Sequence, residues 1–84
     1  MNYTVEFNPQ AMKDLSKLPQ NIAQSVMLGI EKMKDGLGIN VKKLTSHTPE
    51  YRLRIGDYRI LFDLENETKI IISNILHRKN AYKK

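Results

Sequence analysis

Gly56-Asp57 separates two runs that read as strands, Tyr51-Arg52-Leu53-Arg54-Ile55 and Tyr58-Arg59-Ile60-Leu61-Phe62. A two-residue loop led by glycine suits the positive φ of the tight hairpin turns, so the runs are expected to pair antiparallel. With Gly56 and Asp57 as the loop, Ile55 lies opposite Tyr58, Arg54 opposite Arg59, Leu53 opposite Ile60 and Arg52 opposite Leu61. Side chains alternate between the faces of a strand. Tyr51, Leu53, Ile55, Tyr58, Ile60 and Phe62 therefore share an apolar face, and Arg52, Arg54 and Arg59 share the other.

The rest of the chain supplies a cover for the apolar face. Tyr3, Val5 and Phe7 alternate with polar residues as in a strand with one wet face. Asn8-Pro9 is an N-cap followed by proline at the first helical position, and Ala11, Met12, Leu15 and Leu18 continue a short helix. Pro19 interrupts it. Ile22, Val26, Ile30 and Met33 then form one stripe of a second helix that ends at Gly36. Gly36 to Asn40 reads as a loop, and Val41 to Pro49 shows neither period, so it is assigned no regular structure. A polar turn around Glu65-Asn66-Glu67 precedes a last strand from Lys69 to Leu76. His77 to Lys84 is a short basic tail. The expected order is β-α-α-β-β-β: one α+β domain over residues 1–84, an antiparallel sheet with a helix hairpin packed on one face.

The 84 residues contain no cysteine, which excludes disulfides and thiolate zinc cages and leaves the hydrophobic core to hold the fold. A hydrophobic fraction of 40% against 27% charged argues against disorder. The apolar runs fall far short of the ~20 residues of a membrane span, and the first residues lack the pattern of a secretory signal. A cytoplasmic location without membrane association is expected. There is no glycine-rich phosphate loop, no HExxH, and only two His, widely separated and without a flanking acidic pair. No metal or cofactor is expected. Met12, Met27 and Met33 read as core fillers.

Fourteen Lys and Arg against nine Asp and Glu give a net charge of +5, which favours a polyanionic partner. Setting Arg54 against Arg59 costs folding a few tenths to about 1 kcal/mol. Guanidiniums fork onto phosphate oxygens and stay charged near neutral pH. Two readings stand on the residues alone: a solvated basic face and an anion site. The tail adds Arg78, Lys83 and Lys84, with Tyr82 as a base-stacking group or a tail anchor. His77 is the group there with an ordinary pKa near neutrality. His47 has no partner spacing that marks a site, and Asp57 and Asp63 read as solvated.

Several stretches taken together resemble the RelE branch of the RelE/ParE toxin superfamily. They are Tyr3-Thr4-Val5-Glu6-Phe7, Ala11-Met12-Lys13-Asp14-Leu15, Lys43-Leu44, the hairpin from Tyr51 to Ile60, and His77-Arg78-Lys79-Asn80-Ala81-Tyr82. The resemblance covers nearly the whole chain. It implies a small RNase-like α+β fold and a ribosome-dependent endoribonuclease that cuts mRNA in the decoding site and so inhibits translation. It implies a co-expressed antitoxin, acidic and helix-containing, with operator DNA reached only through the antitoxin complex.

The family's cleavage site maps onto Arg52, Arg54, Arg59, Arg78 and Tyr82. The implied chemistry is metal-free attack of the RNA 2′-hydroxyl on its adjacent phosphate. Arg59 then holds the developing charge, Arg78 serves the leaving oxygen, Tyr82 orients the nucleotide, and Arg52 and Arg54 position the backbone, with Lys43 and Lys83 as further substrate-binding cations. The family type member has lysines where this chain has Arg52 and Arg54, and arginine is a poor general base. His77 thereby becomes the leading titratable candidate, ahead of Tyr82 or a ribosomal group. Two alternatives remain: a gyrase-directed, ParE-like toxin, and a non-catalytic basic module that binds an antitoxin in operon autoregulation.

Overall fold

Strand β1 (Thr4–Phe7) passes into helix α1 (Pro9–Ser16) through Asn8, whose side-chain oxygen accepts the Ala11 N–H at 2.9 Å while Pro9 occupies the first turn. Pro19 separates α1 from α2 (Gln20–Met33), and the α2 stripe of Val26, Ile30 and Met33 is buried. Three antiparallel strands close the described chain: β3 (Tyr51–Ile55), β4 (Tyr58–Glu65) and β5 (Lys69–His77). A further short strand, β2 (Val41–Lys43), precedes them. The computed structural model describes residues 2–38, 40–44 and 49–80. No helix among them is long and apolar enough to cross a membrane.

The fold is α+β with a five-stranded sheet in the order β1-β5-β4-β3-β2. Two features depart from the sequence reading. The sheet is mixed, because β1 pairs parallel to β5, with Val5 beside Ile70 and Phe7 beside Ile72. The stretch after α2 contains β2, which pairs antiparallel with β3 through Val41–Leu53, Lys42–Arg52 and Lys43–Tyr51. Three residues are too few to display a period, and β2 owes its form to the β3 ladder beside it.

Both helices lie on one face. Ala11 of α1 and Val26, Ile30 and Met33 of α2 form one core cluster with Leu53, Ile60, Phe62, Ile70, Ile72 and Ile75 of the sheet. The rings of Tyr51 and Phe62, cross-strand partners, stack at 5.4 Å. Between β4 and β5 the register slips: Leu61 faces Asn74, but Phe62 faces Ile72. Ser73 is the extra residue of a bulge. It reverses the alternation along β5, so that Ile70 and Ile72 before it and Ile75 after it all point into the core.

Candidate functional site

The β3–β4 hairpin adopts the register its sequence dictates. Gly56 takes φ 55°, Arg54 lies opposite Arg59, and Arg52 lies opposite Leu61. Leu53 and Ile60 belong to the core cluster, so the arginines stand on the face turned away from the helices. The guanidiniums of Arg52 and Arg59 are steadied by main-chain carbonyls. Arg52 Nη1 donates to the Asn40 carbonyl at 3.0 Å, and the same oxygen accepts the Arg54 N–H at 3.0 Å. Arg52 therefore leans along β3 to the level of Arg54. Arg59 Nη1 donates to the Gly56 and Tyr58 carbonyls at 3.0 and 3.1 Å, which draws it to the turn.

Among the described residues, none of these three arginines is in a salt bridge. Each guanidinium has five donors, so the carbonyl contacts leave most of the fork open to an anion. Leu61 gives this face a floor. It is 7% exposed yet stands outside the helix-side core, between Arg52 and Asn74 in register and two residues from Arg59. The aliphatic stems of arginines commonly cover such a residue while their heads stay in water.

The hairpin turn also holds the start of the tail. The Arg78 N–H donates to the Asp57 carbonyl at 2.6 Å, and Arg78 Nε lies 3.7 Å from Asp57 Oδ1. Arg59 at the start of β4 and Arg78 just past the end of β5 thus meet the same turn. Sequence reasoning gave Asp57 no partner, because the tail is 21 residues further on (78 − 57) and nothing local signals its return. Asp63, also read as solvated, accepts the Glu50 N–H at 2.7 Å and fixes the entrance of β3.

Two expected site residues are not brought to the arginine face. His77 lies opposite Tyr58, on the helix-side alternation, with the two rings edge to face at 5.4 Å. Its Nδ1 accepts the Lys79 N–H at 3.3 Å. Strict alternation from Ile70 and Ile72 puts His77 with the arginines, and the Ser73 bulge moves it across. Lys43 lies opposite Tyr51, again on the helix side, whereas Lys42 lies beside Arg52. Lys42 is the cation that sequence reasoning missed, for want of a period in so short a strand. Tyr82 and Lys83, and the loop residue His47, lie outside the described residues.

The outer face is polarised. At its β1 side, Lys69 Nζ lies 3.1 Å from Glu6 and 3.6 Å from Glu65. The hydrogen bond and charge of Glu6, seconded by Glu65, hold the Lys69 ammonium above its ordinary pKa. At the β2–β4 side, Asp63 is engaged by the Glu50 N–H, and among the described residues Lys42, Arg52, Arg54 and Arg59 are in no salt bridge. That half of the face is suited to a phosphodiester, whose charge grows when its phosphorus is attacked.

The family model for the ParE toxin of the type II toxin–antitoxin system parDE matches residues 5–82. Toxin RelE3 of Methanocaldococcus jannaschii is 34% identical over 83 residues, covering 93% of each chain. Among solved structures, the toxin–antitoxin complex RelBE2 from Mycobacterium tuberculosis contains a chain that superposes with a TM-score of 0.78 at 29% identity, over 93% of this chain and 100% of that one. The RelB–RelE antitoxin–toxin complex from Methanococcus jannaschii gives 0.74 at 32% identity, over 90% and 93%.

Proposed function

Since the chain belongs to the RelE family of type II toxin–antitoxin toxins, we propose that it is a ribosome-dependent endoribonuclease that cleaves mRNA in the decoding site and arrests translation. The observation that carries this reading is the hairpin face: Arg52, Arg54 and Arg59 lie together on the uncovered side of the sheet, in no salt bridge among the described residues, and Arg78 is drawn to the same turn. The 2′-hydroxyl oxygen attacks the adjacent phosphorus as the bond to the 5′ oxygen breaks. The products are a 2′,3′-cyclic phosphate and a 5′-hydroxyl, with one proton lost from the nucleophile and one gained by the leaving oxygen. Arg52 and Arg54 grip the backbone, Arg59 takes the charge that builds on the non-bridging oxygens, and Arg78 serves the leaving oxygen.

The position of His77 beside Tyr58 suits it to steadying the start of the tail through Lys79 more than to taking a proton at the arginine face. We assign the proton acceptor to Tyr82 or to a group of the ribosome. Both solved structures described above are toxin–antitoxin complexes, which supports a cognate antitoxin here. We propose that it is acidic, to match a chain of charge +5, and that it carries this chain to operator DNA. The setting for these steps is the cytoplasm.

The test is to express the chain without an antitoxin and to map new 5′ ends on translated messages, with ribosomes present and absent. Cleavage confined to translated message is expected, and Arg59→Ala should reduce it at least about tenfold. Growth arrest with intact transcripts removes the reading, and DNA damage in their place identifies a gyrase-directed toxin.

A further inference from the structure

We propose that Lys42 is a fourth contact to the RNA backbone, one that extends the arginine face across the edge strand of the sheet. The inference rests on the ribonuclease reading and deepens it by naming how the substrate crosses the site. Val41 packs against the core, so the next residue of β2 points to the opposite face, and the ladder sets Lys42 directly beside Arg52. Lys42 is exposed, and among the described residues it is in no salt bridge.

The four cations form two rows. Lys42 and Arg52 occupy one cross-strand row, Arg54 and Arg59 the next. Neighbouring strands lie about 4.8 Å apart and alternate residues of a strand about 6.8 Å apart, so the two rows, offset by one strand, together run obliquely from the sheet edge to the hairpin turn. The Arg52 guanidinium, tied to the Asn40 carbonyl just ahead of β2, reaches from the Lys42–Arg52 row to the level of Arg54. Such an arrangement does not close around one phosphate. It tracks several along a strand: the reacting one near Arg59 and Arg78, and one away from the cut at Lys42. A contact held equally in the ground state and the transition state lowers KM and leaves kcat unchanged.

Binding of the whole chain to a fluorescein-labelled single-stranded oligouridylate, followed by anisotropy over a range of salt concentrations, tests this directly. Each phosphate contact contributes about 0.7 to the slope of log K against log salt for a single strand. Lys42→Gln is expected to lower the slope by about that amount, Lys42→Arg to restore it, and Lys43→Gln, on the other face, to leave it unchanged. In ribosome-dependent cleavage Lys42→Gln should raise KM alone. An unchanged slope in Lys42→Gln, an equal loss in Lys43→Gln, or no binding by the unsubstituted chain at low salt overturns the proposal. No ribosome-dependent cleavage by the unsubstituted chain, with the slopes as expected, overturns the ribonuclease reading instead.

Discussion

Asp57 is a turn residue with two attachments to Arg78, one through its carbonyl and one through its carboxylate. Asp57→Asn keeps the turn and the main-chain bond while removing the charge. The pair is 62% and 63% exposed, so solvent screens it, and stability should change by less than about 0.5 kcal/mol. Cleavage should respond differently. Without the carboxylate, Arg78 is less well placed for the leaving oxygen, and kcat is expected to fall about three- to tenfold, or roughly 0.7–1.4 kcal/mol in the barrier. The site also loses a negative charge, so KM should fall with it. Steady-state cleavage kinetics separate the two, and a variant with unaltered kcat shows that Asp57 does not position Arg78. At this scale the sequence was legible wherever register follows from a local turn, as at Arg52, Arg54 and Arg59. It was not legible for Lys42, Lys43 and His77, whose faces depend on an edge strand and a bulge formed by distant partners.

At the scale of elements, the hairpin is held to the molecule where α2 crosses β3. A side-chain carbon built on Gly29 would collide with Ile55 Cδ1 and lie 3.3 Å from Ile55 Cγ1 and 3.5 Å from Leu53 Cδ2. Glycine in mid-helix costs up to about 1 kcal/mol relative to alanine, and here it admits the residue just before the Gly56 turn. Gly29→Val forces Ile55 out of its place. Overpacking of this kind costs about 1–3 kcal/mol, while valine recovers only part of the glycine penalty, so net destabilisation is expected in urea unfolding. Full stability in Gly29→Val means that the helix and hairpin adjust freely at this crossing. The sequence showed each helix and each strand of the hairpin by its period, because a helix stripe and strand alternation are local patterns. The parallel pairing of β1 with β5 had no local signature, since its partners stand at opposite ends of the chain.

Across the whole molecule, the same two ends are joined a second time. β1 stops at Phe7, and Asn8 makes a last bond to the Ile72 carbonyl before the chain turns into α1. From there β5 runs on without a parallel neighbour, and α1 covers its open edge. Asp14 Oδ2 accepts the Ile75 N–H at 3.0 Å, between residues 61 apart in sequence, while Gln10 steadies the other carboxylate oxygen at 2.9 Å. Ile75 is 4% exposed, so its N–H has little access to water once that acceptor is gone. Asp14→Ala leaves a buried donor unpaired, at a cost of about 1–3 kcal/mol. For a domain of this size each kcal/mol lowers Tm by roughly 4–8 °C. Asp14→Asn keeps an oxygen acceptor and should recover much of the loss. Because β5 leads directly to Arg78, hydrogen exchange at the Ile75 amide should quicken in Asp14→Ala, whereas cleavage well below its Tm should be little changed. An Asp14→Ala chain that melts with the unsubstituted one and exchanges Ile75 no faster would show that the β5 edge is closed by something other than this carboxylate.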